Sequence, residues 1–400
     1  MLIVAPRLDV GGAEQHLTRI LPRLSAAGLP VSIFAMQAGG SLQAELAASG
    51  VNVRAAPPHK PATARVLNAA GALRREIRRL RPDIIHFFLP EPYLVGSLAA
   101  VGVPGTIKVM SRRSLADYQR NHPVLARLER HLHRSVAALI ANSTAVAEQL
   151  MDESGAPRKV GIIRNGIDVP PIVSIEARAA RRRELGIPDD CIVFAVVANL
   201  IPYKGHADLL SALGGLRGRM LKPWRLLAIG RDEGIGASLT KQALSLGLGD
   251  NILWLGERRD VPVLLSAADV GLLPSHQEGF SNALIEMMAA GLPVIATAVG
   301  GNLDAIVKGE SGSLVPVRDP AALGQAIATL YDSAALRARL GAAARARVER
   351  LFSLDACVRR YVNLYSGLLE RPDTPVAYLI DPPGRERVPE VQEEFHGTAE

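Results

Sequence analysis

The feature that most constrains this chain is an alternation of short apolar runs and longer helical stretches, repeated in both halves. In the first half the runs Leu2–Ala5, Val31–Ala35, Val51–Val53, Asp83–Phe88, Thr106–Met110 and Ala138–Ala141 read as strands. Helical stretches such as Glu14 to Ala27 and Ala64 to Leu80 lie between them. The second half repeats the alternation at Cys191–Ala198, Arg225–Ile229, Ile252–Leu255, Val270–Leu273, Val294–Ala298 and Ser313–Pro316. Near-continuous apolar strands separated by helices predict βαβ units, and therefore parallel sheets covered on both faces. The expected class is α/β, with two doubly wound, Rossmann-like domains facing a cleft.

Two domains also suit a chain of 400 residues. The expected division is 1–166 for the first domain, 167–189 for a linker entered through the Gly/Pro-rich Asn165-Gly166-Ile167-Asp168-Val169-Pro170-Pro171, and 190–352 for the second. A last amphipathic helix is expected over 353–370. Residues 371–400, rich in Pro, Glu and Gly without periodicity, read as a flexible tail. Cys191 and Cys357 are too few for a disulfide framework and sit in apolar contexts, which suggests buried thiols in a reducing, cytoplasmic setting. The opening Met1-Leu2-Ile3-Val4-Ala5-Pro6 reads as a strand, since it lacks the basic region and cleavage site of a secretion signal. No apolar run is long enough to span a bilayer.

In open α/β sheets, ligands bind beyond the carboxyl ends of the strands. The distinctive polar residues of the second half fall at that edge: Asn199 and Lys204 after one strand, Arg231 after Ile229-Gly230, Glu278 after Leu273, and Gly300-Gly301 after Ala298. The segment Pro274 to Gly301 concentrates the signal. Glu278-Gly279 marks a turn, Ser281 or Asn282 can cap a helix, and Gly291 and Pro293 end it. At helical spacing Leu284, Met287 and Met288 share one face. Glu286 points the other way, beside Ala289 and Ala290, either as a solvated surface carboxylate or as one facing a cleft that small residues keep open. The helix start over Gly279, Phe280, Ser281 and Asn282 offers free amides and a positive dipole end, which suit a phosphate.

Glu278 and Glu286 are separated by seven residues. With Glu278-Gly279-Phe280-Ser281-Asn282, Ala289-Ala290-Gly291-Leu292-Pro293-Val294 and Gly300-Gly301 around them, they resemble the Glu-x7-Glu signature of retaining glycosyltransferases of family 4. The resemblance implies the GT-B fold and transfer of a sugar, with retention, from a nucleotide sugar to an acceptor hydroxyl. It implies that Glu286 accepts the ribose hydroxyls, Glu278 holds hydroxyls of the donor sugar, and Lys204 grips the diphosphate. Asn199 stands where the family carries an Arg, a departure that Arg231, or Arg112 and Arg113 from the facing domain, would offset. Gly11-Gly12 at the first strand exit would face the diphosphate across the cleft. His86, at a strand's carboxyl edge, is either a satisfied core histidine or an acceptor-side group. Many family members carry a His near Ser111 to Leu115 that touches the donor sugar, and this chain has none there. The helix after Ser353 would cross back onto the first domain. No Asp-x-Asp motif occurs, so neither a metal nor another cofactor is expected, with a UDP- or GDP-sugar as donor and a sugar or lipid-linked saccharide as acceptor. Gly234-Ile235-Gly236 looks like half a dinucleotide fingerprint, but Leu239 stands at the third glycine position, so it reads as a turn.

The formal charge is +7 from 46 basic and 39 acidic residues. Much of the excess is arginine in the first half, at Arg74, Arg75, Arg78, Arg79, Arg81, Arg127, Arg130 and Arg134. These either pair with Glu76, Glu129 and their neighbours or bind an anionic membrane at its cytoplasmic face. Aromatics at 4% and the lack of zinc-type Cys/His spacing argue against nucleic acid. The surroundings resemble bacterial transferases that build surface polysaccharide or glycolipid. Two other functions share the frame: a GT-B nucleotide-sugar epimerase, and a nucleotide-sugar-binding protein without catalysis.

Overall fold

The computed structural model describes residues 1–9, 11–58, 62–115, 119 and 122–382. The first sheet has seven parallel strands, β1 (Leu2–Ala5), β2 (Ser32–Ala35), β3 (Asn52–Ala55), β4 (Ile84–Phe88), β5 (Ile107–Arg112), β6 (Ala138–Ala141) and β7 (Val160–Ile162), in the order β3-β2-β1-β4-β5-β6-β7. The second has six, β8 (Ile192–Val197), β9 (Trp224–Ile229), β10 (Ile252–Gly256), β11 (Val270–Leu273), β12 (Val294–Thr297) and β13 (Ser313–Val315), in the order β10-β9-β8-β11-β12-β13. Strand β7 was not anticipated, because Val160-Gly161-Ile162 is too short and too glycine-interrupted to carry a periodic signal.

Both sheets are covered on both faces, and the residue alternation shows how. In β1, Ile3 and Ala5 enter one apolar cluster while Leu2 and Val4 enter another. In β8, Phe194 and Val196 face one layer, and Val193 and Ala195 the other. Strand order reverses between β1 and β4 in the first sheet and between β8 and β11 in the second. Adjacent strands there diverge into helices on opposite faces, which leaves a crevice at the carboxyl edge of each sheet. The two crevices face one another.

Two backbone hydrogen bonds tie the domains where the chain passes twice: Ile167 N to Phe352 O at 2.9 Å and Leu354 N to Ile167 O at 2.8 Å. Beyond that crossing the helix Leu354–Glu370 lies in the first domain's core, where Tyr361, Leu364, Tyr365 and Leu368 are buried. The expected tail begins too early. Residues after 370 form a second short helix, Val376–Ile380, whose Val376, Leu379 and Ile380 are buried. It packs directly on β7, where a Cβ on Gly161 would come within 2.5 Å of Ile380. Ordinary apolar burial therefore orders the segment that composition assigned to a flexible tail. Residues 383–400 of that tail lie outside the described residues. Cys191 and Cys357 are buried free thiols, and burial pushes Cys357 up to about 12.

Candidate active site

A cavity of about 980 Å³ opens between the two carboxyl edges. The second domain's switch point supplies its charged floor. Lys204 ends the short turn Pro202–Lys204 that follows β8, and Glu278 follows β11. Lys204 Nζ lies 2.7 Å from Glu278 Oε1, with side chains 19% and 9% exposed. An ammonium carries three donors, so Lys204 can keep this contact and still meet a phosphate oxygen.

The Glu278 loop rests on Gly300-Gly301. Gly300 has φ +46°, and a Cβ there would sit 1.7 Å from the Glu278 carbonyl oxygen. Gly301 N donates to Gly279 O at 2.9 Å. On its other side Gly279 meets the first domain, where a Cβ would lie 2.6 Å from Arg113 O. Side chains at these positions would push the carboxylate away from the lysine or the domains away from each other.

The helix Asn282–Ala289 is capped by Ser281, whose Oγ accepts from Leu284 N at 3.3 Å. Gly279, Ser281, Asn282 and Ala283 line the cavity. Phe280 lines it too, but its ring packs on Phe352 at a centroid distance of 5.4 Å, so its backbone is the part available to a ligand. Leu284, Met287 and Met288 are buried, and Glu286 lines the cavity on the opposite face. That settles its two readings in favour of the cleft. Burial pushes the Glu286 carboxyl above its ordinary range, and the nearby Arg19 guanidinium pulls it down.

Asn199 and Arg231 also line the cavity. Asn199 Oδ1 accepts from Arg231 N at 3.2 Å, its Nδ2 donates to Glu233 Oε1 at 3.0 Å, and Arg231 pairs with the same oxygen at 2.7 Å. Asn199 thus organises the Arg231 loop. The turn at Gly234–Gly236 is filled by the protein itself, since Asp232 Oδ1 accepts from the amides of Gly234, Ile235 and Gly236.

From the first domain, Gly12 opens the helix Gly12–Ala26 and lines the cavity, while Gly11 stands just behind it as the residue before the helix. Arg113 reaches the cavity, but its guanidinium is held by Asn165 Oδ1 and by Tyr361 Oη at 3.3 Å. Asn165 in turn donates to Asn282 Oδ1 at 2.5 Å, which joins the crossing point to the start of the donor-side helix.

Two expectations are corrected. Arg112 does not face the cleft. Its side chain is 1% exposed and lies inside the first domain, bonded to Glu129 at 2.6 Å and to both oxygens of Glu153 at 2.8 Å. Successive residues of a strand point to opposite sides, so Arg112 turns into the core layer where these carboxylates wait. Glu129, His133 and Glu153 cluster tightly, and the one guanidinium bonds to both carboxylates. His86 is likewise a core residue: fully buried, with Nδ1 2.7 Å from Tyr365 Oη and Nε2 2.7 Å from Ser111 Oγ. Burial, with Arg113 close by, holds it well below the ordinary histidine range, so it stays neutral. The crossing helix covers the edge at which it would have met an acceptor.

Arg19 and Gln15 were missed, and both line the cavity. With Gly12 they fall three and seven positions along one helix, a stripe that the spacing from the Gly-Gly turn could have exposed.

The facing switch points, the lysine–glutamate pair and the cross-cleft carboxylate define a two-domain glycosyltransferase of the GT-B type. The family model described as Glycosyltransferase Family 4 matches residues 10–170, and the one described as Glycosyl transferases group 1 matches 177–347. The chain is 30% identical over 395 residues to D-inositol 3-phosphate glycosyltransferase of Streptomyces scabiei, covering 90% of this chain and 87% of that protein. It is 32% identical over 400 residues to the enzyme of the same description from Thermomonospora curvata, covering 90% and 91%. Among solved structures, Anabaena HepE in complex with UDP superposes with TM-score 0.82 at 21% identity, covering 92% of this chain and 100% of that one. HepE in complex with UDP-glucose gives 0.79 at 22% identity, with the same coverage. The chain belongs to glycosyltransferase family 4. These likenesses do not favour an epimerase or a non-catalytic binding protein.

Proposed function

We propose that this enzyme moves a sugar from a nucleoside diphosphate sugar to an acceptor hydroxyl with retention of anomeric configuration, in polysaccharide or glycolipid synthesis. The observation that carries the reading is the Lys204–Glu278 pair at the β8/β11 switch point, with Glu286 one short helix away in the same cavity. Lys204, Arg231 and the helix-start amides would neutralise charge growing on the leaving diphosphate, where fixed donors act most strongly. Glu286 would accept the ribose hydroxyls and Glu278 those of the sugar. The leaving phosphate would take the acceptor proton on the face it departs from, with no protein nucleophile and no metal. UDP is the favoured nucleotide, supported by the UDP-bound neighbour, with GDP the alternative. Screening nucleoside diphosphates for thermal stabilisation, then assaying transfer with the matching sugars, tests it. No stabilisation by any of them, or free isomerised nucleotide sugar as the sole product, would refute it.

A lipid-linked acceptor at an anionic cytoplasmic membrane face is the second part of the reading, supported by one helix. On Pro123–Leu132, Val124, Leu125 and Leu128 are exposed beside Arg127 and Arg130, while its one acid, Glu129, turns inward to Arg112. Within 74–81, by contrast, Arg74 donates to the carbonyls of Ala99 and Val101, and Arg79 pairs with Glu76. Among the described residues no helix is long and apolar enough to cross a membrane. Basic residues near an anionic surface contribute about 1 kcal/mol each. Wild type should co-sediment with anionic vesicles at low salt and be released at high salt, and changing Arg127, Leu128 and Arg130 to Ser should abolish binding. A wild type that stays in the supernatant, or a variant that still pellets, refutes the membrane contact.

A further inference from the structure

The cavity wall opposite Glu286 belongs to the other domain, and it supplies a cation. Arg19, in the first-domain helix Gly12–Ala26, places Nη2 3.4 Å from Glu286 Oε1, with side chains 32% and 23% exposed. The contact engages one carboxylate oxygen. The second oxygen stays open to other donors, and an ionised carboxylate has about four lone-pair sites to share.

The remaining surroundings give Glu286 little charge support. Its own helix contributes buried Leu284, Ile285, Met287, Met288 and Ala289. The helix Ala334–Leu351 packed on it carries Arg345, whose guanidinium is occupied by Ala289 O at 2.6 Å, Pro170 O at 2.8 Å and Glu349 at 2.9 Å. The preceding loop carries Glu278, which is paired with Lys204. Among the described residues, Arg19 is therefore the cation that faces Glu286. This matters because a carboxylate accepts hydrogen bonds at both oxygens, whereas a protonated carboxyl group gives up one acceptor to become a donor.

We propose that Arg19 is a positioning residue for the donor: from the first domain it keeps Glu286 a carboxylate, tethers one oxygen, and leaves the other presented to the ribose. Donor affinity on the second domain then depends on a first-domain arginine and on closure of the cleft. This rests on the reading of Glu286 as the ribose acceptor. With Arg19 removed, burial acts on Glu286 alone, so its protonation moves up in pH.

The test is equilibrium binding of UDP and GDP to the full chain, as wild type, Arg19→Met, Arg19→Lys and Glu286→Gln, from about pH 8 down to about pH 5.5, scored as the ratio to wild type so that titration of the nucleotide's own phosphate, near pH 6, cancels. Arg19→Met should bind within about threefold of wild type at the top of the range and fall progressively further behind toward the bottom, because without the arginine Glu286 takes its proton at a higher pH than in wild type. Arg19→Lys should restore the flat ratio, and Glu286→Gln should be weak at every pH. An Arg19→Met ratio that does not change with pH, tighter binding in that variant, or failure of lysine to rescue it overturns the role of Arg19 alone, provided Glu286→Gln is weak. If wild type binds neither nucleotide, or Glu286→Gln binds normally, the donor-site reading itself falls and this inference with it.

Discussion

Replacing Arg112 by Met keeps much of the side-chain volume but removes the guanidinium from two carboxylates that have little water to turn to. In the folded chain Arg112 is 1% exposed, Glu129 0% and Glu153 10%, joined by bonds of 2.6 and 2.8 Å. Removing one partner of a buried pair costs about 3–5 kcal/mol, because the other charge stays buried without compensation. Here two carboxylates are stranded, with oxygens that lie with His133 inside a 4.8 Å cluster, so the upper half of that range is expected. Gln119, which donates to both at 3.0 and 3.2 Å, softens the loss without removing it. Both tryptophans, Trp224 and Trp254, lie in the second domain. Urea unfolding can therefore be followed by fluorescence for that domain and by far-UV circular dichroism for the whole, which matters because two domains need not unfold together. Arg112→Met should shift the first-domain transition by about 4–5 kcal/mol, move the tryptophan transition far less, and leave nucleotide affinity near wild type. Burial alone would raise Glu153, yet bonds from His133 and Arg112 hold it down at about 2. A depressed acid stabilises above its ordinary range and loses that contribution as pH falls toward 2. The deficit of Arg112→Met should therefore shrink in acid, as the stranded carboxylates take protons. Adding Glu129→Leu and Glu153→Met should recover much of the loss. A shift under about 1 kcal/mol, together with a tenfold loss of nucleotide affinity or turnover, would refute the structural assignment and return Arg112 to the cleft.

Gly300→Ala drives a methyl group into the Glu278 carbonyl at a position of positive φ. An ångström of displacement at a reacting centre costs about a hundredfold, so turnover should fall by that order while the circular dichroism spectrum stays native; near-normal turnover would show that Glu278 need not be held there. His86→Leu strands the hydroxyls of Tyr365 and Ser111, so it should destabilise the first domain by about 1–3 kcal/mol per unsatisfied group and leave nucleotide affinity unchanged; a selective loss of acceptor KM at native stability would reverse that assignment. Chelation by EDTA should leave transfer intact, because Lys204 and helix amides, not a carboxylate-bound ion, are placed for the diphosphate; strict manganese or magnesium dependence of the chemical step would overturn this.

The sequence by itself determined most of the elements, though not β7 or the helix Val376–Ile380, and the edge of the sheets at which the cavity opens. Apolar runs of strand length and helical stretches are local patterns, and βα alternation leaves a parallel sheet as the natural way to bury them. Lys204, Glu278 and Glu286 were legible for the same reason: each lies within a few residues of a strand exit or on one face of a short helix. What only the tertiary structure decided are the partners. Arg19 meets Glu286, Arg113 meets Asn165, His86 meets Tyr365 and Arg112 meets Glu153, across 267, 52, 279 and 41 residues of chain. No periodicity reaches that far. A strand arginine reads the same whether two carboxylates or a cleft lie beyond it, and a Pro-rich segment reads as a tail until a glycine on β7 leaves room for Val376 and Ile380. Whether a polar side chain binds substrate or holds up the core depends on which distant elements pack over it, and that is settled when the two sheets and the crossing helix come together.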